Sequence, residues 1–295
     1  MTRLFVFGLG YCARAVVARM RPRLSSISGT TREAEKQAGI AAQGVMPIRF
    51  DGTAPQPAVS EALSNIEHVL VALPPDETGD PVLRHHGADL AASKPRSIVY
   101  LSTVGVYGDH CGAWVDEESL CKPVSERSRL RLETEAGWQR FAAETSVPVA
   151  IIRLGGIYGP GRGPFAKIRR GTAQRIVRPG QVFNRIHVDD IAAIVVAAFD
   201  ERADGIFNGV DDEPAPPEDV LTFAAGLLGV PPPPEVSFEQ ANLTPMARSF
   251  YGESKRARND KIKRELGVRL AYPTYREGLQ AVHEDEHKRG SSVLL

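Results

Sequence analysis

Cysteine is scarce in this sequence. Three are found in 295 residues, Cys12, Cys111 and Cys121, an odd number with no Cys-x-x-Cys pair. That argues against a disulfide framework and a zinc ribbon, and fits free thiols in a reducing compartment. Net charge is absent as well, with 36 Lys and Arg balancing 36 Asp and Glu. Nothing in that balance draws the chain to nucleic acid or to an anionic membrane surface. Long apolar runs are missing, and the longest candidate, Ile191 to Phe199, is far too short to span a bilayer. The N-terminus goes straight into a strand pattern, so no signal peptide is expected. There is no internal repeat. These absences point to a soluble cytoplasmic protein, long enough for one large or two small domains around a sizeable core.

What is present begins at the first residues, Arg3-Leu-Phe-Val-Phe-Gly8-Leu9-Gly10-Tyr11-Cys12-Ala13. Leu4 to Phe7 is a short apolar strand pattern, and Ala13 to Met20 carries a helical stripe of Ala13, Val16, Val17 and Met20. A strand turning tightly into a helix aims backbone N–H groups and the positive helix end at one spot, which suits a pyrophosphate. Gly8 permits the turn, Gly10 lets the backbone approach the phosphates, and Ala13 keeps helix and strand close. A helix N-terminus can also depress the pKa of a thiol placed like Cys12.

Strand patterns follow at Leu24–Ser28, Gly44–Asp51, Ile66–Leu73, Ile98–Thr103 and Val149–Leu154. Helical patterns occupy Glu33–Gln43, Pro81–Ser93 and Ser125–Glu144 between them. Such alternation predicts a Rossmann-type α/β fold, a doubly wound parallel sheet with ligands at the strand C-termini. Pro47 marks its strand as an edge. The second strand pattern ends in Gly29-Thr30-Thr31-Arg32, with no acid between Leu24 and Thr31. An acid there would read the 2′-hydroxyl of NAD, whereas hydroxyls and Arg accept the 2′-phosphate of NADP. NADP is therefore the expected cofactor, with NAD as the alternative. Asp51, Leu73 and Pro74, at the ends of the third and fourth strand patterns, join Thr30, Thr31 and Arg32 as candidate cofactor contacts.

Further on, Phe165–Gly171 reads as a basic helix, and Ile186-His187-Val188 as a short strand before an apolar helix capped by Asp189. Helices are predicted over Glu218–Leu228, Lys255–Leu266 and Tyr275–Glu284, with Pro231 to Pro234 an extended surface linker. No metal is expected. His85 and His86 point to different helix faces, and His187 reads as structural.

Five stretches in order resemble the extended, epimerase/dehydratase-like branch of the short-chain dehydrogenase/reductase superfamily. They are Gly8-x-Gly10-x-x-Ala13, Ser102-Thr-Val-Gly-Val-Tyr107-Gly, Arg153-x-x-x-x-Tyr158-Gly-Pro, Ile186-His-Val-Asp-Asp190 and Lys261-x-x-x-Glu-Leu-Gly267. The resemblance implies a nucleotide lobe over residues 1–160 with a return at 186–205, and a smaller C-terminal α/β substrate lobe over 161–185 and 206–288. It also implies a cofactor contact at Ser102, and admits a homodimer through the long helix. The family's chemistry uses a Ser/Thr hydroxyl, a proton-transferring Tyr and a Lys four residues after it. Thr103 falls at the hydroxyl position.

Aligning Pro123 and Glu135 with the family pattern puts Arg127 at the Tyr position and Arg131 at the Lys position. Arg131 can still hold a ribose, but a guanidinium stays protonated and cannot act as the acid. Tyr107 and Tyr158 are the nearest substitute acids. The dehydratase acid and base positions hold Val104 and Gly105, and the diphosphate-gripping Arg of sugar-nucleotide members is replaced by Phe183. The catalytic candidates are therefore Thr103, Tyr107, Arg127 and Arg131. The cofactor candidates are Gly8, Leu9, Gly10, Tyr11, Cys12, Thr30, Thr31, Arg32, Asp51, Leu73, Pro74 and Ser102. Three readings remain open: an NAD(P)-dependent oxidoreductase or epimerase-like enzyme on a small oxygenated substrate, a non-catalytic NAD(P)-binding sensor, and a structural protein with a vestigial cofactor site that binds no dinucleotide.

Overall fold

Alternation along the first strand decides the layering. In β1 (Thr2–Phe7), Leu4 and Val6 join one hydrophobic cluster while Phe5 and Phe7 join another, and all four are fully buried. A strand buried on both faces needs a covering layer on each, and crossover helices supply them. The structure, a computed structural model, describes residues 2–291.

The chain continues through α1 (Tyr11–Met20), β2 (Leu24–Thr31), α2 (Gln37–Ala41), β3 (Met46–Arg49), α3 (Pro57–Leu63), β4 (His68–Val71), α4 (Pro81–Ser93) and β5 (Ser97–Thr103). Next come β6 (Trp114–Val115), the long helix α5 (Glu126–Thr145), β7 (Val149–Leu154) and β8 (Gly156–Tyr158). The C-terminal half holds α6 (Phe165–Arg169), β9 (Arg175–Val177), β10 (Arg185–His187), α7 (Val188–Asp200) and β11 (Gly205–Gly209). It ends with α8 (Pro217–Leu227), β12 (Glu235–Ser237), α9 (Pro245–Phe250), β13 (Arg256–Ala257), α10 (Asp260–Glu265) and α11 (Tyr275–Ser291).

Seven strands make one parallel sheet in the order β3-β2-β1-β4-β5-β7-β11. The winding direction reverses between β1 and β4, which opens a crevice at their carboxyl ends. On one face α1 and α7 pack through Val16, Met20, Ile191 and Phe199, and on the other α3, α4 and α5 pack through Leu63, Leu90 and Trp138. A separate small core of Tyr158, Phe165, Val220, Ala224, Tyr275 and Leu279 supports the C-terminal elements.

The expected Rossmann-type sheet is present, and Pro47 lies on its edge strand. Some local expectations are corrected. β11 (Gly205–Gly209), which no strand pattern announced, adds a seventh strand beside β7. The helix expected over Glu33–Gln43 is a short 3₁₀ turn followed by only five α-helical residues. Asp189 does not cap α7; the His187 imidazole Nδ1 accepts the Asp189 N–H at 3.2 Å instead. The helix expected from Lys255 begins at Asp260, because Arg256–Ala257 pair with Trp114–Val115 as a strand. The proline run is pinned, with the Pro233 and Pro234 carbonyls accepting from Arg175. Among the described residues, no helix is long and apolar enough to cross a membrane.

Asp190, in the first turn of α7, is buried and its carboxylate accepts the N–H groups of Ala271 at 2.7 Å and Tyr272 at 3.1 Å. It ties the sheet-covering helix to the segment that leads into α11. Asp190→Ala leaves both donors without their partner and is expected to destabilise the fold by about 1–3 kcal/mol. Urea unfolding checks this as a lowered midpoint at unchanged slope.

Candidate active-site cleft

The turn after β1 is built from backbone constraints. Gly8 sits at φ +87°, and a Cβ there would lie 2.7 Å from Leu73 Cδ2. The buried Thr30 braces the turn: its hydroxyl oxygen accepts the Gly8 N–H at 2.8 Å and its carbonyl accepts the Leu9 N–H at 3.1 Å. Gly10 differs, since a Cβ added there would meet no protein atom within 4 Å. It is the N-cap of α1, with no side-chain cap and no acid in the first turn. The helices α4, α5, α7 and α9 by contrast are capped by Asp80, Ser125, His187 and Thr244. An exposed, uncapped helix N-terminus with free space above its glycine is suited to an anion. The residues present thus fit the pyrophosphate of a dinucleotide.

Tyr11 reaches from this turn to the far side of the crevice, where its hydroxyl donates to the Pro160 carbonyl at 3.0 Å. Arg162 lies over the Tyr11 ring, 5.6 Å from its centroid. Gly159 is required at that contact, because a Cβ would come within 2.7 Å of both the Tyr11 hydroxyl and Val188. Cys12 is buried, and that burial pushes its thiol pKa up, so the helix end does not create a thiolate there. At the end of β2, Thr31 exchanges hydrogen bonds with Glu33, and Arg32 is exposed with no ion-pair or hydrogen-bond partner among the described residues. Asp51 is exposed, and its carboxylate is held below the usual range by the Thr53 hydroxyl and N–H. Leu73 packs on Gly8, and Pro74 is exposed beside it.

A cleft of about 940 Å³ opens beyond this turn, lined by Thr103, Arg127 and Arg131 together. Thr103 ends β5 and caps the following 3₁₀ turn, its hydroxyl oxygen accepting the Gly105 N–H at 3.1 Å. Arg127 and Arg131 stand one turn apart on α5. Arg127 is exposed, with its guanidinium 4.8 Å from the Phe250 ring centroid. Arg131 donates to the Leu101 carbonyl and, at 3.1 Å, to the Tyr100 hydroxyl. The aligned positions thus share one cleft.

Tyr107 is not brought to it. The side chain is fully buried, its hydroxyl donates to Asn208 Oδ1 at 2.8 Å, and burial pushes its pKa up to about 12. Tyr158 lines the cleft, but its hydroxyl donates to the Thr274 carbonyl and burial raises its pKa as well. Ser102 lies behind the cleft, donating to the Glu135 carboxylate. Glu135 in turn binds Arg153 at 2.7 Å, both almost fully buried, and Arg153 lies 4.7 Å from the Tyr107 ring centroid. This network links α5 to β5 and β7, and through Asn208 to β11. Glu135 and Arg153 were visible in sequence only as motif positions; Asn208 fell in the strand that no pattern announced.

The opposite wall was also missed. Arg185 donates to the carbonyls of Phe183 and Ala215, each at 3.0 Å, and Lys255 and Glu253 form a 2.8 Å ion pair. Lys255 sits in a charged stretch that reads as a helix face, so only the strand pairing of β13 reveals its burial. Among the described residues there is no group of three or more potential metal ligands.

The sequence model of the NAD dependent epimerase/dehydratase family matches residues 88–208. A 3-diazoavenalumate denitrifying reductase from Streptomyces is 32% identical over 154 residues, a match that spans about half of each chain (48% of this one and 49% of the reductase). A conserved protein of unknown function from Silicibacter pomeroyi is 46% identical in its solved structure, over 97% of this chain and 99% of that one, with a TM-score of 0.86. Two more distant structures share the fold. MoeE5 in complex with UDP-glucose and NAD is 21% identical over 97% of this chain and 99% of its own, TM-score 0.77. Human epimerase family protein SDR39U1 with NADPH is 19% identical over 96% and 100%, TM-score 0.73.

The two turn glycines separate by experiment. Gly8→Ala is expected to lower stability by ~1–3 kcal/mol through backbone strain and the Leu73 contact, whereas Gly10→Ala is expected to leave stability nearly unchanged. Thermal unfolding of the two variants checks the contrast. Glu135→Gln leaves the buried Arg153 charge without its carboxylate and is expected to cost roughly 3–5 kcal/mol. Replacing both partners, with Glu135→Leu and Arg153→Met, is expected to recover most of that loss in the same urea titration.

Proposed function

We propose that the chain, whose residues 88–208 match the NAD dependent epimerase/dehydratase family, is an NADP-preferring oxidoreductase or epimerase-like enzyme acting on a small oxygenated substrate. One observation carries the reading: Thr103, Arg127 and Arg131 line a single cleft with Arg162, whose guanidinium lies over the ring of Tyr11 at the uncapped start of α1. A bound nicotinamide would supply or take a hydride there. The backbone N–H of Tyr11 at the start of α1 and the guanidinium of Arg162 would hold the dinucleotide phosphates, and Arg131 its ribose. Arg32 and Thr31, with no carboxylate between Leu24 and Thr31, favour a 2′-phosphate.

Thr103 then holds the substrate oxygen. Arg127 stabilises charge that develops on that oxygen through charge-assisted hydrogen bonds, without giving up a proton. Water supplies or accepts the proton. General acid–base help from a Tyr contributes ~10²–10⁴ in rate, so turnover slower than that of a Tyr-bearing enzyme is expected. The similarity to a reductase over 154 residues favours the reductive direction. The second reading is a non-catalytic NAD(P)-binding sensor. The hydroxyls of Tyr107 and Tyr158 favour it, since both are spent on protein partners.

Calorimetric titration with NADPH and NADH tests the shared part. NADPH is expected to bind at micromolar concentration, with NADH about tenfold weaker or more and Arg32→Ala removing the difference. No binding of either dinucleotide at millimolar concentration overturns both readings. Turnover of a carbonyl panel that is abolished by Arg127→Ala, with NADPH binding retained, separates the enzyme from the sensor.

A further inference from the structure

We propose that the far wall of the cleft recognises an aromatic carboxylate, with Lys255 binding the carboxylate and Phe183, Phe250 and Tyr251 packing the ring. The proposal takes the reaction from the nicotinamide reading above, but the binding site stands on its own observations.

The first observation is Lys255 itself. It lines the cleft with a side chain only 4% exposed, and buried lysines are rare unless they are paired. Its ammonium has three N–H donors. Among the described residues it meets one partner, Glu253 Oε1 at 2.8 Å. The position is rigid. The Asn184 amide donates to the Lys255 carbonyl at 3.1 Å and accepts the Ala257 N–H at 2.7 Å. The Ser254 N–H beside it is held by Asp109 at 2.8 Å. With its backbone held on both sides and its ammonium held by Glu253, Lys255 keeps donors that this one partner does not take, and ordering it on ligand arrival costs little.

The second observation is the charge of the whole cleft. Its lining carries six cations, Arg127, Arg131, Arg162, Lys167, Arg185 and Lys255, against one carboxylate, Glu253. With Arg131 and Arg162 given to the dinucleotide and Glu253 paired with Lys255, Arg127, Lys167 and Arg185 remain in excess, so the cleft still favours an anion. The guanidinium that could best grip a diphosphate is compromised: one terminal nitrogen of Arg185 serves two carbonyls. Lys255 is a point charge that suits a single carboxylate, not a fork matched to paired phosphates.

The third observation is the wall beside it. Phe183 and Tyr251 meet edge to face at 5.3 Å, and Phe250 lies under Arg127. Phe250 remains 43% exposed and the adjoining Met246 64% exposed, both on the cleft surface. An aromatic ring entering there covers apolar area and gains ring contacts, with its carboxylate reaching the ammonium.

The test is calorimetry on the full chain with cinnamate, cinnamamide and UDP, with and without NADPH. Cinnamate is expected to bind at submillimolar concentration, about tenfold or more tighter than cinnamamide and than UDP. Lys255→Met is expected to weaken cinnamate at least about tenfold while leaving cinnamamide unchanged, and Lys255→Arg to restore it to within ~3-fold. Glu253→Gln, which removes the competing carboxylate, is expected to tighten cinnamate and serves if Lys255→Met does not fold. The proposal is overturned by equal binding of cinnamate and cinnamamide, by tighter binding of UDP, by no binding of cinnamate at 10 mM (roughly the limit of useful affinity), or by cinnamate binding that neither Lys255 variant changes. Lys255-dependent cinnamate binding without any NADPH binding would sink the proposed function and leave this site standing. NADPH binding without cinnamate binding would do the reverse.

Discussion

The cleft is positioned from the ion pair between Glu135 and Arg153, which joins the middle of α5 to β7 in a region almost closed to water. Charges buried that deeply persist when they are paired and further hydrogen-bonded. Ser102 donates to the carboxylate from the end of β5, and the Tyr107 ring covers the guanidinium and is itself anchored on Asn208 of β11. Three neighbouring strands and one helix thus have their relative positions set by one network. Thr103 follows Ser102 in the chain, and Arg131 stands one helical turn before Glu135. Their shared cleft is a consequence of the packing behind them.

That arrangement changes the part played by the tyrosines. A buried Tyr whose hydroxyl is already donating, and whose pKa burial has raised, is a poor proton source. The front of the cleft holds two permanent cations, Arg127 and Arg131. Permanent cations stabilise negative charge at any pH but do not move protons. Under the proposed function the cleft would therefore act through electrostatic stabilisation and anion binding more than through acid–base exchange.

Much of the fold was legible in the residues. The short apolar run Leu4 to Phe7 and the stripe of Val16, Val17 and Met20 are local patterns, and the sheet followed from their repetition along the chain. The turn glycines were legible for the same reason, and so was the pairing of Arg127 with Arg131, because four residues on one helix face a common side. Thr30 read as a cofactor contact, whereas the fold uses its hydroxyl to brace Gly8. The short strands β11 and β13 were not legible. Gly205–Gly209 carries no apolar alternation strong enough to announce it, and Arg256–Ala257 is a strand only because Trp114–Val115 lies beside it.

The sequence by itself determined the class of fold, the glycine turn after β1 and the placing of Arg127 and Arg131 one turn apart on α5, since each depends on residue identity within one or two turns of chain. Tertiary structure alone decided that Tyr107 faces inward to Asn208 and that Lys255 faces the cleft with Glu253. Asn208 lies 101 residues from Tyr107, and the strand pairing that buries Lys255 brings Arg256–Ala257 to Trp114–Val115 from more than a hundred residues away. Contacts at that separation follow from how the sheet and its crossovers close, and local pattern carries no record of them.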